Sequence, residues 1–282
     1  MFWQTSHREF SFERTLVMAI LNVAPDSFSD GGQFLSVDDA LKQAEKLIAD
    51  GADIIDIGGE STRPNSARVS ADEEVRRVVP VIEAIAATFD IPISVDTSKA
   101  EVAAKAIGAG AEIINDISGL RFDEKMAEVA ARHNAGLILM HSRGTFETMH
   151  IETPVENILK EVADSFRTSL EKAKSFGVKT GNIVLDVGIG FSKTFAQNLE
   201  LLAKLDKLVA EFPEYPMLVG TSRKSFLGKL LDGAPPGERL SGTLASVAIA
   251  VWNGARIVRV HDVKETVDAI KIVEAIGREK NP

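Results

Sequence analysis

The chain has 282 residues, 45% of them hydrophobic and 26% charged, enough for one barrel-sized domain or two average ones with a sizeable core. Its net charge of −9 argues against nucleic acid or an anionic membrane as a partner, so an anionic ligand would need locally placed cations. There is no cysteine, which excludes disulfides, a thiol nucleophile and cysteine-based zinc sites, and fits a cytoplasmic chain.

The opening stretch, MFWQTSHREFSFERTL, carries charge through what would be the apolar core of a signal peptide, so no export signal is expected. Residues 1–15 are taken as an extension and 16–282 as a single domain. Eight short apolar runs rich in Val and Ile then follow at regular spacing. They are LVMAILNV (Leu16–Val23), ADIIDIGG (Ala52–Gly59), IPISVD (Ile91–Asp96) and AEIINDI (Ala111–Ile117). The series continues with GLILMH (Gly136–His141), NIVLDV (Asn182–Val187), YPMLVG (Tyr215–Gly220) and ARIVRVHD (Ala255–Asp262). Helix-period segments such as SVDDALKQAEKLIAD and VENILKEVADSFRTSLEKAKSFG alternate with them. DGAD, GAGAE, HNAG, KSFGV and NGAR offer glycine where a helix C-cap wants it. Eight strand–helix units with no linker between them predict a single (β/α)8 barrel in the α/β class; a doubly wound open sheet is the alternative. The uncharged run Leu240–Ala255 falls short of the ~20 residues a membrane span needs and reads as a buried helix.

In such a barrel the chemistry sits at the C-terminal ends of the strands. In chain order those ends carry Asn22, the segment GGESTRPNS, Asp96, Asn115–Asp116, Met140–His141, Asp186, TSRKS, and Arg259 with His261. A single polar residue there is usually a cap or turn former, and Asp96 before TSKAEV has the position of an N-cap. Eight ends in succession are harder to assign to caps. Asp96, Asn115 and Asp186 together match the donor-rich edge of a planar heterocycle, with Met140 and Phe191 for its ring faces. Phe28 in NVAPDSFSDGG is either an inward-folded loop residue or an aromatic that closes over a ligand, and Asn22 offers an oxygen to a hard cation such as Mg²⁺. Arg63–Pro64 reads as an anion contact, a pocket wall or an exposed turn. Ser222 and Lys224 stand at the start of a helix, where they either meet a ligand or face solvent. Arg259 and His261, two apart in a strand, share a face, and a buried arginine without a partner costs several kcal/mol. That spacing asks for an anion. GIGFSKT lacks the glycine spacing of a phosphate loop, and the histidines show no metal-ligand spacing.

The motifs LNVAPDSFSDGG, DIIDIGGESTRP, ISVDTSK, IINDISG, LMHSRG, GTSRKSFLG, RLSGTLA and RVHDVKET, in this order over roughly Leu16 to Ile276, resemble the dihydropteroate synthase family of the folate pathway. The resemblance implies a transferase that joins 6-hydroxymethyl-7,8-dihydropterin diphosphate to 4-aminobenzoate and releases diphosphate. It also implies Asp96, Asn115, Asp186 and Lys224 around the pterin, and Thr62, Arg63, Pro64, Phe28, Phe191 and Ser222 around 4-aminobenzoate. Arg259, Val260 and His261, with Asn22, Thr62 and Arg63, would meet the diphosphate, and Asn22 would ligate Mg²⁺. Arg259, His261, Lys224 and Asp96 would carry the catalytic roles. A homodimer and inhibition by sulfonamides are implied as well. The chain departs from the family pattern at Ala24, where threonine is usual, and in DVGIGF, where Val187 and Ile189 replace proline and phenylalanine. The alternatives are a methyltransferase acting on a methyl-folate, which shares the pterin clamp, and a pterin-binding paralogue without turnover.

Overall fold

The computed structural model describes residues 1–23, 36–61, 66 and 68–280. Eight parallel strands close into one barrel in chain order. They are β3 (Leu16–Asn22), β4 (Ile54–Gly58), β5 (Ile93–Asp96), β6 (Ile113–Asp116), β7 (Gly136–Met140), β8 (Ile183–Asp186), β9 (Met217–Val219) and β10 (Ile257–Val260). The (β/α)8 expectation holds and the open sheet does not, because β10 pairs with both β9 and β3. Around the barrel run α1 (Val37–Ala49), α2 (Ala71–Thr88), α3 (Ala100–Gly108), α4 (Met126–His133) and α5 (Ile158–Ser175). The ring continues with α6 (Phe195–Ala203), α7 (Leu205–Glu211), α8 (Ser225–Leu230), α9 (Leu240–Trp252) and α10 (Val263–Lys280). Serine, asparagine and threonine side chains begin several of these helices. Ser36 accepts from the Asp39 amide, Ser70 from Glu73, and Asn157 from Lys160, while Thr194 and Gln197 cap each other reciprocally.

Strand alternation sorts the side chains into two cores. Ile55, Ile57, Val95, Ile114, Leu139, Leu185 and Val258 face outward under the helices. Ile54, Ile113, Ile138, Val184, Leu218 and Ile257 face inward and fill the lower lumen. Two residues further along the same strands come Asp56, Asn115, Met140, Asp186, Gly220 and Arg259, so the same face turns from apolar to polar at the mouth on four of these six strands. This alternation is what builds the site.

Residues 1–15 are part of this body. The hairpin of β1 (Phe2–Gln4) and β2 (Glu9–Ser11) places Trp3 and Phe12 against the lower lumen layer, and the Trp3 indole donates to the Asn182 carbonyl at 2.9 Å. The extension is therefore the plug of the barrel floor. Two other expectations change. In HNAG the left-handed residue is Asn134 (φ 48°), while Gly136 begins β7, where a Cβ would stand 3.0 Å from Trp3 and Thr5. The stretch from Leu240 forms α9, but only one side is buried: Ile249 and Trp252 lie on its exposed face.

Candidate active site

At the mouth, Arg259 reaches across the lumen to two carboxylates. Its Nε donates to Asp56 Oδ2 at 2.6 Å and its Nη2 to Asp96 Oδ2 at 2.7 Å. The Asn115 amide donates to the same Asp56 oxygen at 3.1 Å. The sequence reading left Arg259 without a protein partner; the structure gives it two, because Asp56 on β4 also faces inward. Asp56 is the residue that reading missed, although its signal matches that of Arg259: one charge inside an otherwise apolar strand. Asp56 is fully buried, and its second oxygen, Oδ1, has no hydrogen-bond partner among the described residues.

Burial pushes the Asp96 carboxyl up to about 7, with the Arg259 charge opposing and Asp56 reinforcing the shift. Burial works against the Arg259 cation too, but Asp56 and Asp96 outweigh it and its pKa rises. Asp96 does not cap α3, whose cap position is Lys99, so the bland reading of Asp96 fails. Its neighbour Asp116 does act locally, accepting from the Ser118 amide and hydroxyl and from the Leu120 amide.

On the opposite side, Asp186 Oδ1 accepts from the Gly188 amide at 2.8 Å. Burial raises the Asp186 pKa, opposed mainly by the Lys224 charge. Burial lowers Lys224 to about 8, opposed by Asp186. The Lys224 ammonium donates to the Ile189 carbonyl and lies 4.8 Å from the centre of the Phe191 ring. Phe191 packs with Ile117, Met140, Phe146 and Met149 in one apolar cluster. Val187 and Ile189, the two departures from the family pattern, are fully buried in the outer core and leave this cluster untouched.

Beyond Arg259, the His261 ring Nδ1 and the Ser222 hydroxyl lie 3.0 Å apart, and Ser222 Oγ accepts from the His261 amide at 3.2 Å. Ser222, assigned by resemblance to the 4-aminobenzoate side, is thus joined to the anion side. Arg223 beside it is held in the left-handed region (φ 58°) by an ion pair with Asp262 and by Arg239, which donates to its carbonyl at 2.8 Å. The Val260 side chain packs outward under the helices, so only its backbone belongs to the mouth. Asn22 ends β3 next to β4, and its Oδ1 lies 3.4 Å from where a Cβ on Gly58 would stand, with Asp96 3.6 Å from that point. Phe28, Thr62, Arg63 and Pro64, like Ala24, lie outside the described residues.

Among the described residues, then, Asp56, Asp96, Asn115 and Asp186 share one opening with Arg259 and Lys224. The sequence profile of the family described as pterin binding enzyme matches residues 18–261. The chain belongs to that family. It is 50% identical over 264 residues to the dihydropteroate synthase of Bacillus subtilis, covering 94% of this chain and 89% of that one. Among solved structures, dihydropteroate synthase of Yersinia pestis with a sulfonamide drug superposes with a TM-score of 0.93 at 44% identity, over 99% of this chain and 100% of that one. That of Xanthomonas albilineans with 4-aminobenzoic acid gives 0.90 at 38% identity, over 98% of both chains.

Proposed function

We infer that this chain is a dihydropteroate synthase, a transferase of folate biosynthesis that condenses 6-hydroxymethyl-7,8-dihydropterin diphosphate with 4-aminobenzoate, giving 7,8-dihydropteroate and diphosphate. The observation that carries the site assignment is the closed ring of strand ends, which brings three acceptor-bearing side chains and two cations to one mouth. Ionised Asp96 and Asp186, with the Asn115 amide, present acceptors to the N–H donors of an aminopyrimidinone ring. Met140 and Phe191 cover a face of that ring, and Lys224 faces its acceptor atoms. Arg259, through the N–H groups not spent on Asp56 and Asp96, and His261, with the Val260 backbone, face the diphosphate.

Asn22 suits Mg²⁺ as a lone neutral oxygen donor: no group of three acidic or histidine side chains able to hold a metal occurs among the described residues, so the diphosphate would bring most of the ligands. Bound there, the ion would supply positive charge to the leaving group. The chain's own residues do the rest. Arg259 and His261 stabilise negative charge on the departing oxygen as the carbon–oxygen bond breaks at the pterin methylene. Positioning by the pterin clamp presents that carbon to the neutral aromatic amine, which forms the new carbon–nitrogen bond and then releases its proton to solvent. Phe28, Thr62, Arg63 and Pro64 complete the 4-aminobenzoate side of this proposal, and sulfonamides would compete there.

A homodimer through α9 and α10 is part of the proposal, supported by Ile249, Trp252, Ile272 and Ile276 exposed on these two helices. So is a cytoplasmic location, in keeping with the cysteine-free sequence; among the described residues no helix is long and apolar enough to cross a membrane. The function is tested by incubating the chain with Mg²⁺, the pterin diphosphate and labelled 4-aminobenzoate. Labelled dihydropteroate, suppressed by a sulfonamide, is expected. Pterin binding without product would instead identify a paralogue that no longer turns over.

A further inference from the structure

One buried cation has no part in the mechanism above. Lys193, in the GIGFSKT segment, is 2% exposed, and its ammonium donates to the carbonyls of Gly188 at 2.7 Å, Phe191 at 3.0 Å and His141 at 3.2 Å. Burial lowers its pKa well below the usual lysine range, with Asp186 opposing. Three carbonyl acceptors nevertheless require three N–H donors, which the ammonium has and the neutral amine lacks. The geometry therefore fits the charged form, kept without a carboxylate in contact among the described residues, and burying a charge in that way is costly.

We propose that Lys193 is a positioning residue for the pterin site: it pins the turn after β8 to the end of β7, fixing Asp186 and Phe191, and sets a positive charge behind the Asp186 carboxylate. The proposal rests on Asp186 being part of the pterin clamp. The linkage is direct. Gly188, whose carbonyl takes the shortest Lys193 bond, donates its amide to Asp186 Oδ1 at 2.8 Å. Phe191, whose carbonyl takes another, supplies the ring against Lys224 and Met140. Gly188 sits at φ 65°, with the His141 carbonyl oxygen only 2.0 Å from where its Cβ would be. The turn therefore lies tight on β7, and Lys193 is the clasp. The charges facing Asp186 are Lys193, Lys224 and Arg259; those facing Lys193 are Asp186, Lys224, Arg143, Glu161 and neutral His141.

The test uses the full chain and Lys193→Gln, which keeps two N–H donors and drops the charge; Lys193→Met replaces it if that variant does not fold. The Asp186 carboxyl is followed by ¹³C NMR through a pH titration, assigned by its loss in Asp186→Asn. Its midpoint should move up by about one unit in the Lys193 variant, which corresponds to about tenfold weaker binding of 6-hydroxymethylpterin at pH values below both midpoints, the difference vanishing above them. In an Asp186→Asn background the Lys193 substitution should weaken pterin binding by clearly less than it does in the wild-type chain, the remainder being its hold on Phe191. An unmoved midpoint would overturn the proposal, and so would a loss of affinity that simply adds to that of Asp186→Asn, the mark of a merely structural lysine. If the wild-type chain binds no pterin at all, the clamp reading falls and this role with it. That outcome differs visibly from wild-type binding that the Lys193 variants preserve.

Discussion

Removing the Arg259 guanidinium is the perturbation that the geometry most sharply constrains. Arg259→Ala leaves Asp56 and Asp96 facing each other in the lumen without the cation that bridges them at 2.6 and 2.7 Å. Breaking a buried ion pair by deleting one partner costs roughly 3–5 kcal/mol, because the stranded charge stays desolvated. For a chain of this length that is about 6–10 °C in melting temperature, taking about 2 °C per kcal/mol. The pH dependence has a definite sign. Asp96 already titrates near 7 in the folded chain, against 3.8 as its ordinary value, and the Arg259 charge holds it down from a higher value. A carboxyl raised on folding stabilises fully below its unfolded pKa, and that contribution is lost as pH rises through the folded pKa. Without Arg259 the folded pKa climbs further, so the loss continues above pH 7. The gap in melting temperature between wild type and Arg259→Ala should therefore widen from pH 5 to pH 8, measured by calorimetry without ligand. Adding Asp96→Asn to the variant should close part of it. Equal melting temperatures at pH 8, or a gap independent of pH, would refute the bridging role.

Four further outcomes are expected. Asp96→Ala should abolish pterin binding in a calorimetric titration while the circular dichroism of the fold is retained, since buried ring donors would lose their acceptor. The kcat/KM for pterin diphosphate should rise through about pH 7, as Asp96 ionises, and fall above about pH 8, as Lys224 loses its proton; a profile flat from 6 to 9 would contradict both assignments. Phe28→Ala should raise the KM for 4-aminobenzoate and leave pterin diphosphate affinity nearly unchanged, whereas equal losses for both would make it a structural residue. Ile272→Glu should convert a dimer to monomers in sedimentation, because it sets a charge on the exposed apolar face of α10.

The fold was legible because two periods alternate along the chain. Runs such as ADIIDIGG and NIVLDV contain too few residues for a helix and are bounded by turn formers, and eight of them in series leave few architectures open. Asp96, Asn115 and Asp186 were legible for a related reason: each stands at or beside the end of a strand, where barrel geometry converges, and Lys224 stands at the start of the helix that follows β9. Asp56 escaped because it lies two residues before its strand ends, inside a run that reads as core. Period two would have found it, since Ile54, Asp56 and Gly58 share a face exactly as Ile257, Arg259 and His261 do. The role of Lys193 was not legible at all. Its partners are backbone carbonyls of residues 141, 188 and 191, and no side-chain pattern encodes where a carbonyl will point.

The partners of Arg259 also change the question its position first posed. In a chain of net charge −9, a cation kept only for an incoming anion would sit in the lumen uncompensated until that anion arrived. Asp56 and Asp96 remove that cost in the ligand-free state, and they do so with different consequences. Asp56 is fully buried and shared with Asn115, so its bond to Arg259 is a fixed strut within the barrel. Asp96 stands nearer the opening at the end of β5, and the same carboxylate is the proposed acceptor for the pterin ring. A pterin that takes up Asp96 therefore competes with the Arg259 Nη2 bond, while the Nε bond to Asp56 remains. Ring binding would then loosen one arm of the guanidinium just where the diphosphate needs it, linking the two halves of the substrate through one side chain. On this argument a pterin alcohol and free diphosphate should each bind more tightly in the presence of the other, and Arg259→Ala should abolish that coupling.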